Sequence, residues 1–401
     1  MYAKQIQALL ERGVVIPRPE AVEIAPDVRP ERIAPGVKLH TGCKLLGTAS
    51  SIGPGCVLGA EAPVTVDNCQ LGHGVELKGG YFSGATFLDG ANMGSGAHIR
   101  PGTLLEEEAN GAHTVGLKQT LLLPFVTLGS LINFCDALMA GGTDRKNHSE
   151  IGSSYIHFNY TPQQDKATAS MLGDVPRGVM LDQPPIFLGG QGGLVGPCHI
   201  GFGCVVPAGL IWREDAPGDG LLLQSTPHPS GASKPFMAGV FRKIARIVRN
   251  NLQYLGNLRA LHQWYTYVRQ PLMGEDVWRM ACYEGAQSQL RTMMDERIKR
   301  LKELADRMPR SIDLGRQCGD VATPWLAEQE KLRHTWPMME AVLKQAVPES
   351  LGASERKAFL LDRGTINTDS YIETVRALSP AARKAGTAWL QKIVQATINL
   401  W

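Results

Sequence analysis

The sequence predicts a parallel β-helix of hexapeptide repeats over roughly the first 230 residues, followed by an α-helical domain. Two observations lead to this prediction. Aliphatic residues recur every six positions in the first half, and a helical pattern replaces this repeat where glycine becomes sparse. In the clearest run, LGGQGGLVGPCHIGFGCVVPAGLIW, the repeated positions are Leu188, Leu194, Ile200, Val206 and Trp212.

A second run starts with the same period, resumes it after a one-residue slip, and then carries it on irregularly. Its aliphatic positions are Ile33, Leu39, Leu45, Ile52, Leu58, Val64, Leu71, Leu77, Met93, Ile99 and Leu105. A period of six fits neither an α-helix, at 3.6 residues per turn, nor a single strand, at two. It fits a triangular prism whose three faces are short strands, so that one coil takes about 18 residues and coils stack about 4.8 Å apart. Glycine suits the corners, where the backbone can need a positive φ. A glycine-rich β-sandwich is the alternative, and so many in-phase positions disfavour it.

The predicted organisation has four parts. Residues 1–30 form an N-terminal helix and lead-in, 31–224 the β-helix with inserted loops, 225–235 a linker, and 236–401 the helical domain. The linker prediction rests on STPHPSGASKP, which is rich in turn residues.

The helical domain opens with apolar residues spaced three or four apart, which indicates an amphipathic helix. These residues are Phe241, Ile244, Val248, Leu252, Leu255, Leu258 and Leu261. The polar side carries Arg242, Lys243, Arg246 and Arg249, so this side is either a solvated face or a surface for an acidic partner. Later helices are predicted to begin near Glu275, at Thr323-Pro324 and at Ser379-Pro380; in the last two, a capping residue precedes a proline. The domain is expected either to cover the open end of the β-helix or to mediate assembly.

The composition excludes several classes of protein. A net charge of +3 over 401 residues gives no large field of one sign, so we expect no nucleic-acid partner. No run of about 18 apolar residues predicts a membrane span, and the start MYAKQIQALLERGVVIPRP lacks the layout of a secretory signal. A cytoplasmic location is therefore expected. The eight cysteines are dispersed without a CxxC pair, which favours small buried residues over disulfides or a metal site. They are Cys43, Cys56, Cys69, Cys135, Cys198, Cys204, Cys282 and Cys318.

Two cations stand one predicted coil apart. Arg100 and Lys118 are separated by 18 residues, so both are expected on the same side of the prism in adjacent coils. Like charges about 5 Å apart repel unless an anion lies between them. A phosphate or carboxylate ligand would supply that anion, and the run Glu106–Glu108 would supply it from within the chain.

His148 lies in the polar segment DRKNHSE, which suits a loop between coils. Histidine is the usual general base near neutral pH. Glu150, Asp144 or a backbone carbonyl would orient the ring. A solvated loop histidine without a catalytic role is the alternative.

These segments resemble a known family. The sequence IRPGT…GAH…VG…K, followed by RKNHS, IGSSYIHFNYTPQQDKAT, GD, IFLGG, VGP and PAG, is similar to the C-terminal acetyltransferase domain of the bifunctional UDP-N-acetylglucosamine pyrophosphorylase/glucosamine-1-phosphate N-acetyltransferase. The resemblance covers residues 30–215 and implies a left-handed β-helix, a homotrimer with sites between subunits, and acetyl transfer from acetyl-CoA. Nothing resembles the Gly-rich loop of the pyrophosphorylase domain, so nucleotidyl transfer is not expected.

The resemblance also implies roles for individual residues. His148 would be the catalytic base, and Gly189, Gly190 and Ala208 would contact acetyl-CoA. The sugar phosphate or nucleotide sugar would be bound by Arg100, Lys118, Lys166, Asn159, Tyr160 and Tyr155, the last being the tyrosine nearest the expected position. The family's coenzyme A arginine is replaced by Ser225. The gap from Lys118 to His148 is about one coil longer than the family pattern, which leaves the register of His148 open.

Three functions follow as hypotheses. The first is acyl transfer to an amino-sugar phosphate or nucleotide sugar, with no metal. The second is a catalytically silent sugar-phosphate-binding or scaffold protein of the same fold. The third is a metal-dependent hydratase resembling the γ-class carbonic anhydrases, which the sequence disfavours because none of its ten histidines form the required pair five residues apart.

Overall fold

A computed structural model describes residues 2–224, 236–317 and 324–401. It confirms a parallel β-helix of about eleven turns followed by a helical region. The predicted linker 225–235, which includes Ser225, lies outside the described residues, as do Cys318 and Thr323. The boundaries of the four predicted parts therefore remain predictions.

The β-helix is a three-sided prism whose strands, numbered in chain order, pair in parallel from coil to coil. The first face contains β2 (Lys38–Leu39), β5 (Val57–Leu58), β8 (Glu76–Leu77), β11 (Asn92–Met93), β14 (Asn110–Gly111), β16 (Thr127–Leu128), β20 (Glu150–Ile151), β23 (Phe187–Leu188) and β26 (Val205–Val206). The second face contains β1 (Glu23–Ile24), β3 (Lys44–Leu46), β6 (Val64–Asp67), β9 (Gly80–Ser83), β12 (Ala97–Ile99), the first halves of β15 (Val115–Leu122) and β17 (Ile132–Met139), β21 (Ile156–Phe158), β24 (Gly193–Val195) and β27 (Ile211–Trp212). The third face contains β4 (Ser51–Ile52), β7 (Gln70–Leu71), β10 (Ala85–Phe87), β13 (Thr103–Leu105), the second halves of β15 and β17, β22 (Ser170–Leu172) and β25 (His199–Ile200). A hairpin of β18 (Gly142–Asp144) and β19 (Asn147–His148) projects between the third and first faces.

The six-residue repeat places its aliphatic residues inside the prism, as predicted. Leu188, Leu194, Ile200 and Val206 are all fully buried, and Trp212 at the last coil is half-buried. Leu39, Leu58 and Leu77 pair in register on the first face, and Ile52 pairs with Leu71 on the third, whereas Leu45 pairs with Val66 rather than with the predicted Val64. Most coils therefore bury one apolar side chain per face, and this burial is the main favourable term for the β-helix.

The C-terminal half is helical, and short helices also occur earlier in the chain. The helices are α1 (Tyr2–Glu11), α2 (Val175–Gly178), α3 (Ile244–Trp264), α4 (Val277–Gln317), α5 (Pro324–Leu343), α6 (Ala353–Arg363), α7 (Tyr371–Ala377) and α8 (Pro380–Ile398). Single 3₁₀ turns lie at Pro19–Ala21, Pro30–Arg32 and Gln270–Leu272, and a π-helical turn lies at Tyr265–Arg269. The predicted start of α8 is confirmed, because the Ser379 hydroxyl accepts a hydrogen bond from the Ala382 amide at 3.1 Å. The apolar stripe predicted for α3 is confirmed from Phe241 to Leu261.

The helical region lies along the third face, where α4 contacts β4, β7, β10 and β13. The outward residues of the third face explain why the helical region packs there. None of them is ionised near neutral pH, and all are buried. In order along the face they are Ser51, Gln70, Thr86, Leu104, Leu121, Leu138, Met171 and His199. At Gly285 of α4 an added Cβ would lie 2.2 Å from Gln70 Oε1, so the helix approaches the face closely. This arrangement differs from the expected cap over the open end. No helix of the described part is long and apolar enough to cross a bilayer.

Candidate functional site

The edge between the second and third faces carries the two predicted cations. Ile99 pairs with Leu117, and the Arg100 amide donates to the Leu117 carbonyl at 2.9 Å, so Arg100 and Lys118 occupy equivalent positions in adjacent coils. Lys118 in turn pairs with Cys135 in the next coil. The Arg100 guanidinium reaches past Lys118, and its Nη2 lies 3.5 Å from Cys135 Sγ. We call this row of Arg100, Lys118 and Cys135 the cation edge.

Within the described residues, the two cations have no carboxylate partner. Both side chains are half-buried. Among the described residues, no carboxylate oxygen lies within 4.0 Å of either cation. The alternative in which Glu106 and Glu107 neutralise them is not realised, because both carboxylates bind Arg269 at another edge. Stacked cations without an internal anion are suited to an anionic ligand.

Burial raises the pKa of the Cys135 thiol, although the nearby Arg100 and Lys118 charges lower it in part. The side chain is only 6% exposed. The thiol is therefore neutral near pH 7 and contributes a weakly polar contact to Arg100 rather than a nucleophile.

Asp136 follows Cys135 at the corner, and its carboxylate is buried. Its backbone has a φ of 58°. The carboxylate accepts a bond of 2.5 Å from Asn159 Nδ2 and a bond of 2.6 Å from Arg297 Nη2. Arg297 belongs to α4, so the helical region supplies the counter-charge for this acid.

The loop after β21 holds the other predicted phosphate ligands. Lys166 is exposed, and its Nζ lies 5.9 Å from the centre of the Tyr160 ring, which is itself 56% exposed. The Lys166 carbonyl accepts a 3.0 Å bond from Arg297 Nη1. Asn159 is thus joined to the backbone of Lys166 through Asp136 and Arg297, and Asp136 directly follows Cys135 of the cation edge.

His148 lies at a different edge, between the third and first faces. Its Nδ1 is 3.0 Å from the Arg145 carbonyl, and its Nε2 is 3.8 Å from Glu150 Oε2. Of the three expected orienting groups, a backbone carbonyl and Glu150 lie near the ring, whereas Asp144 accepts hydrogen bonds from the Lys146 and Asn147 amides. In the coil that contains Cys135, the whole third face separates this edge from the cation edge. Within one chain, His148 therefore does not meet Arg100 and Lys118.

The predicted acetyl-CoA contacts lie at the remaining edge, between the first and second faces. A Cβ added at Gly189 would lie 2.2 Å from the Ala208 amide nitrogen, and one at Gly190 would lie 2.7 Å from the Ser153 carbonyl. These glycines let one coil pack against the next, so within one chain they do not form an open cradle. Ala208 is exposed. The three predicted groups thus lie on three different edges of the prism.

Tyr155 does not lie on the surface. Its side chain is fully buried inside the β-helix, where its ring packs near Phe134, and burial raises its pKa well above the usual range. The ring has no accessible surface for a substrate, and this corrects its predicted role. The error arises because sequence proximity to His148 does not show whether a residue points inward or outward.

About half of the chain has curated relatives. The bifunctional protein GlmU of Nitratidesulfovibrio vulgaris is 30% identical over 209 residues, which is 52% of this chain and 41% of the relative. Proteins of the same name from Trichlorobacter lovleyi and Mycobacterium tuberculosis are 28% identical over 221 residues and 27% identical over 216 residues. They share 55% and 54% of this chain, and 43% and 39% of their own length. The β-helix is similar to part of GlmU. No protein-family model matches the chain.

The match to GlmU confirms the resemblance predicted from the motifs. This chain spans about two fifths of the length of those relatives. The similarity therefore supports a shared β-helix, and the activity of the complete GlmU protein does not follow from it.

Sequence reasoning missed a buried ionic cluster at the edge between the third and first faces. Arg269 Nη2 binds Glu106 at 2.7 Å, Arg269 Nη1 binds Glu107 at 2.6 Å, and the Tyr265 hydroxyl donates to Glu106 at 2.7 Å. The Arg269 guanidinium carbon lies 3.5 Å from the centre of the Tyr371 ring. Burial, and then the Glu107 charge, raise the pKa of Glu106 to about 7 against the opposing effect of Arg269. We call this set the carboxylate cluster.

The carboxylate cluster borders a cavity of about 290 Å³ between the β-helix and the helical region. Its walls include Asp89, Glu107, Arg279 and Tyr371. Arg279 lies 3.4 Å from Asp89 Oδ2, so the charges of this cavity are partly paired within the chain. No group of three or more histidine, cysteine, aspartate or glutamate side chains within the described ranges is placed to hold a metal ion.

Proposed function

We propose that the protein is an acyltransferase that moves an acetyl group from acetyl-CoA to the amine of an amino-sugar phosphate or nucleotide sugar. The observation that carries the proposal is the cation edge, whose two stacked cations have no internal anion in the described residues. The similarity of the β-helix to GlmU supports the reaction class.

The phosphate of the acceptor would bind between Arg100 and Lys118. Two cations one coil, about 4.8 Å, apart match a dianion, because a phosphate seated between them can accept charge-assisted hydrogen bonds from both. Lys166 would add a third charge from the neighbouring loop, beside the ring of Tyr160. Asn159 would offer its amide to the sugar while Asp136 holds it in place.

The complete active site requires residues from more than one chain. His148, Arg100 and Ala208 lie on three different edges of one prism, so one chain alone does not assemble the groups that the resemblance names. In a homotrimer, edges of neighbouring prisms meet around the threefold axis. We propose that His148 of one chain faces the cation edge of another chain.

In the proposed reaction, the acceptor amine attacks the thioester carbonyl carbon and forms a C–N bond. His148 takes the proton that the amine loses and returns it to the departing thiolate as the C–S bond breaks. Backbone N–H groups would stabilise the oxyanion of the tetrahedral intermediate. The products are the N-acetyl sugar phosphate and the free thiol of coenzyme A.

The test follows thiol release by the purified protein with acetyl-CoA and a panel of amino-sugar phosphates. The expected result is turnover by wild type that falls at least about 100-fold in Arg100→Ala and in His148→Ala. His334→Ala is the matched control, because His334 is an exposed histidine of α5, far along the chain from the β-helix.

Mixed assemblies test the shared site directly. Co-expressed Arg100→Ala and His148→Ala chains should regain part of the wild-type rate, because some sites then combine an intact cation edge with an intact histidine. No regain, with each parent inactive, would overturn the shared site. No turnover by wild type on any acceptor, with sugar phosphates still raising Tm, would replace the enzyme with the silent binding protein.

A further inference from the structure

Arg297 joins the helical region to the cation edge. Its side chain is 2% exposed, and its two terminal nitrogens bind two different parts of the β-helix. Nη2 donates to Asp136 at 2.6 Å, and Nη1 donates to the Lys166 carbonyl at 3.0 Å. A planar guanidinium holds both partners in fixed directions, which an ammonium group does not do.

The first consequence is electrostatic. Asp136 is 7% exposed and comes directly after Cys135 of the cation edge. Without Arg297, this buried carboxylate would be uncompensated beside the position proposed for phosphate, and it would repel the ligand. Arg297 neutralises it, and the Asn159 amide completes its hydrogen bonding.

The second consequence concerns the loop that carries Lys166. Other residues of the helical region also bind its backbone. Arg307 Nη1 donates to the carbonyls of Gln163 at 3.0 Å and Gln164 at 2.7 Å, and Asn251 Nδ2 donates to the Ala167 carbonyl at 2.9 Å. The conformation of this loop therefore depends on helices α3 and α4 rather than on the β-helix alone.

We infer that Arg297 is a positioning residue for the sugar-phosphate site, acting through Asp136 and the backbone of Lys166. This inference rests on the proposed function. It makes the helical region a working part of the site, because α4 sets both the local charge and the position of the third cation.

The experiment compares Arg297→Gln with Arg259→Gln, a matched buried arginine. Arg259 is 8% exposed, and its bonds go to the carbonyls of Val342, Leu343 and Gln345 within the helical region. Both variants lose a buried arginine, but only one affects the cation edge. The readouts are the KM for the amino-sugar phosphate, kcat, and hydrogen exchange of residues 159–168.

Arg297→Gln is expected to raise KM at least about tenfold with a smaller change in kcat, and to speed exchange of the loop. Arg259→Gln should change neither by more than about twofold. The double variant Asp136→Asn/Arg297→Gln should recover most of the lost affinity, because the uncompensated charge is then gone. Equal effects of the two single variants on KM and on exchange would overturn the inference, as would a double variant no better than Arg297→Gln.

If Arg297→Gln does not fold, Arg297→Lys carries the same test. It keeps the charge beside Asp136 and loses the second directed bond, so exchange of residues 159–168 should rise and KM should increase about threefold. Unchanged exchange and KM would overturn the inference. If wild type neither binds nor acetylates sugar phosphates, the proposed function fails, whereas the exchange data still show whether Arg297 orders the loop.

Discussion

Two edges of the same β-helix carry charged side chains, and the two edges differ in how these charges are paired. At the carboxylate cluster, Glu106 is fully buried and Arg269 is 1% exposed, and their charges are paired at 2.7 Å. At the cation edge, Arg100 and Lys118 are half-buried and have no carboxylate partner among the described residues. The helical region supplies arginines to the buried acids Glu106 and Asp136, and its described residues place no carboxylate within 4.0 Å of the two cations. Paired buried charges indicate a structural role, and unpaired accessible ones indicate a ligand.

The largest expected effect is on the stability of the carboxylate cluster. Arg269→Met removes the cation shared by Glu106 and Glu107 and leaves a fully buried carboxyl group beside a half-buried one without their counter-charge. We expect the free energy of unfolding to fall by about 3–5 kcal/mol, as for other buried pairs that lose one partner. Urea unfolding followed by circular dichroism measures the change.

An exposed ion pair provides the control for this change. Arg316 and Glu330 are 56% and 44% exposed and lie 2.7 Å apart. Arg316→Met should lower the free energy of unfolding by less than about 1 kcal/mol. Equal losses in the two variants would contradict the structural role of the carboxylate cluster.

The pH dependence of the free energy of unfolding should reveal the titration of Glu106 in the carboxylate cluster. The pKa of Glu106 is about 7 in the folded protein, above the ordinary value of 4.5 that applies when it is unfolded. Between these pH values the folded protein binds a proton that the unfolded chain does not. The stabilising contribution is therefore full below about pH 4.5 and is lost as the pH rises through about 7.

Glu106→Gln isolates this contribution. We expect wild type to lose up to about 3 kcal/mol relative to the variant between pH 4.5 and pH 8, measured by urea unfolding at each pH. Tyr265, Arg269 and Glu107 face Glu106 in both proteins and so cancel in the comparison to first order. Parallel pH profiles would show that Glu106 remains ionised.

Substitutions at the cation edge should instead weaken ligand binding and leave the free energy of unfolding nearly unchanged. Arg100→Ala and Lys118→Ala should leave the free energy of unfolding within about 0.5 kcal/mol of wild type, because neither side chain has an ion-pair partner in the described part of the chain. Each should weaken binding of an amino-sugar phosphate by about 10–100-fold, measured by titration calorimetry. A stability loss of several kcal/mol with unchanged binding would reverse the assignment of roles to the two edges.

The sequence predicts the β-helix and the cation edge because both depend on a short period. Eighteen residues separate Arg100 from Lys118, and one coil returns the chain to the same edge. The covered face also had a signal in the sequence, because outward residues such as Thr86, Leu121 and Met171 carry no charge. An uncharged outward row on one face indicates a packing surface.

The remaining features depend on contacts between residues far apart in the sequence, which the six-residue repeat does not predict. Arg297 meets Asp136 across 161 residues, and Arg269 meets Glu106 across 163. Such contacts between two regions follow from the docking of α4 and not from local spacing. His148 illustrates a second limit, because the hairpin that carries it is an insertion and breaks the register on which the spacing argument depends.

The smallest expected effect concerns Cys135, the neutral member of the cation edge. Its thiol touches Arg100 at 3.5 Å, but burial raises its pKa, so it adds no charge to the site. Cys135→Ser should change sugar-phosphate affinity by less than about threefold, well below the effect of Arg100→Ala, because a neutral contact contributes less than a charged one. Mass spectrometry should show slow alkylation of Cys135 by iodoacetamide at pH 7. A loss as large as that of Arg100→Ala, or rapid alkylation, would mean that the thiol is ionised and that the edge binds its ligand through more than its two cations.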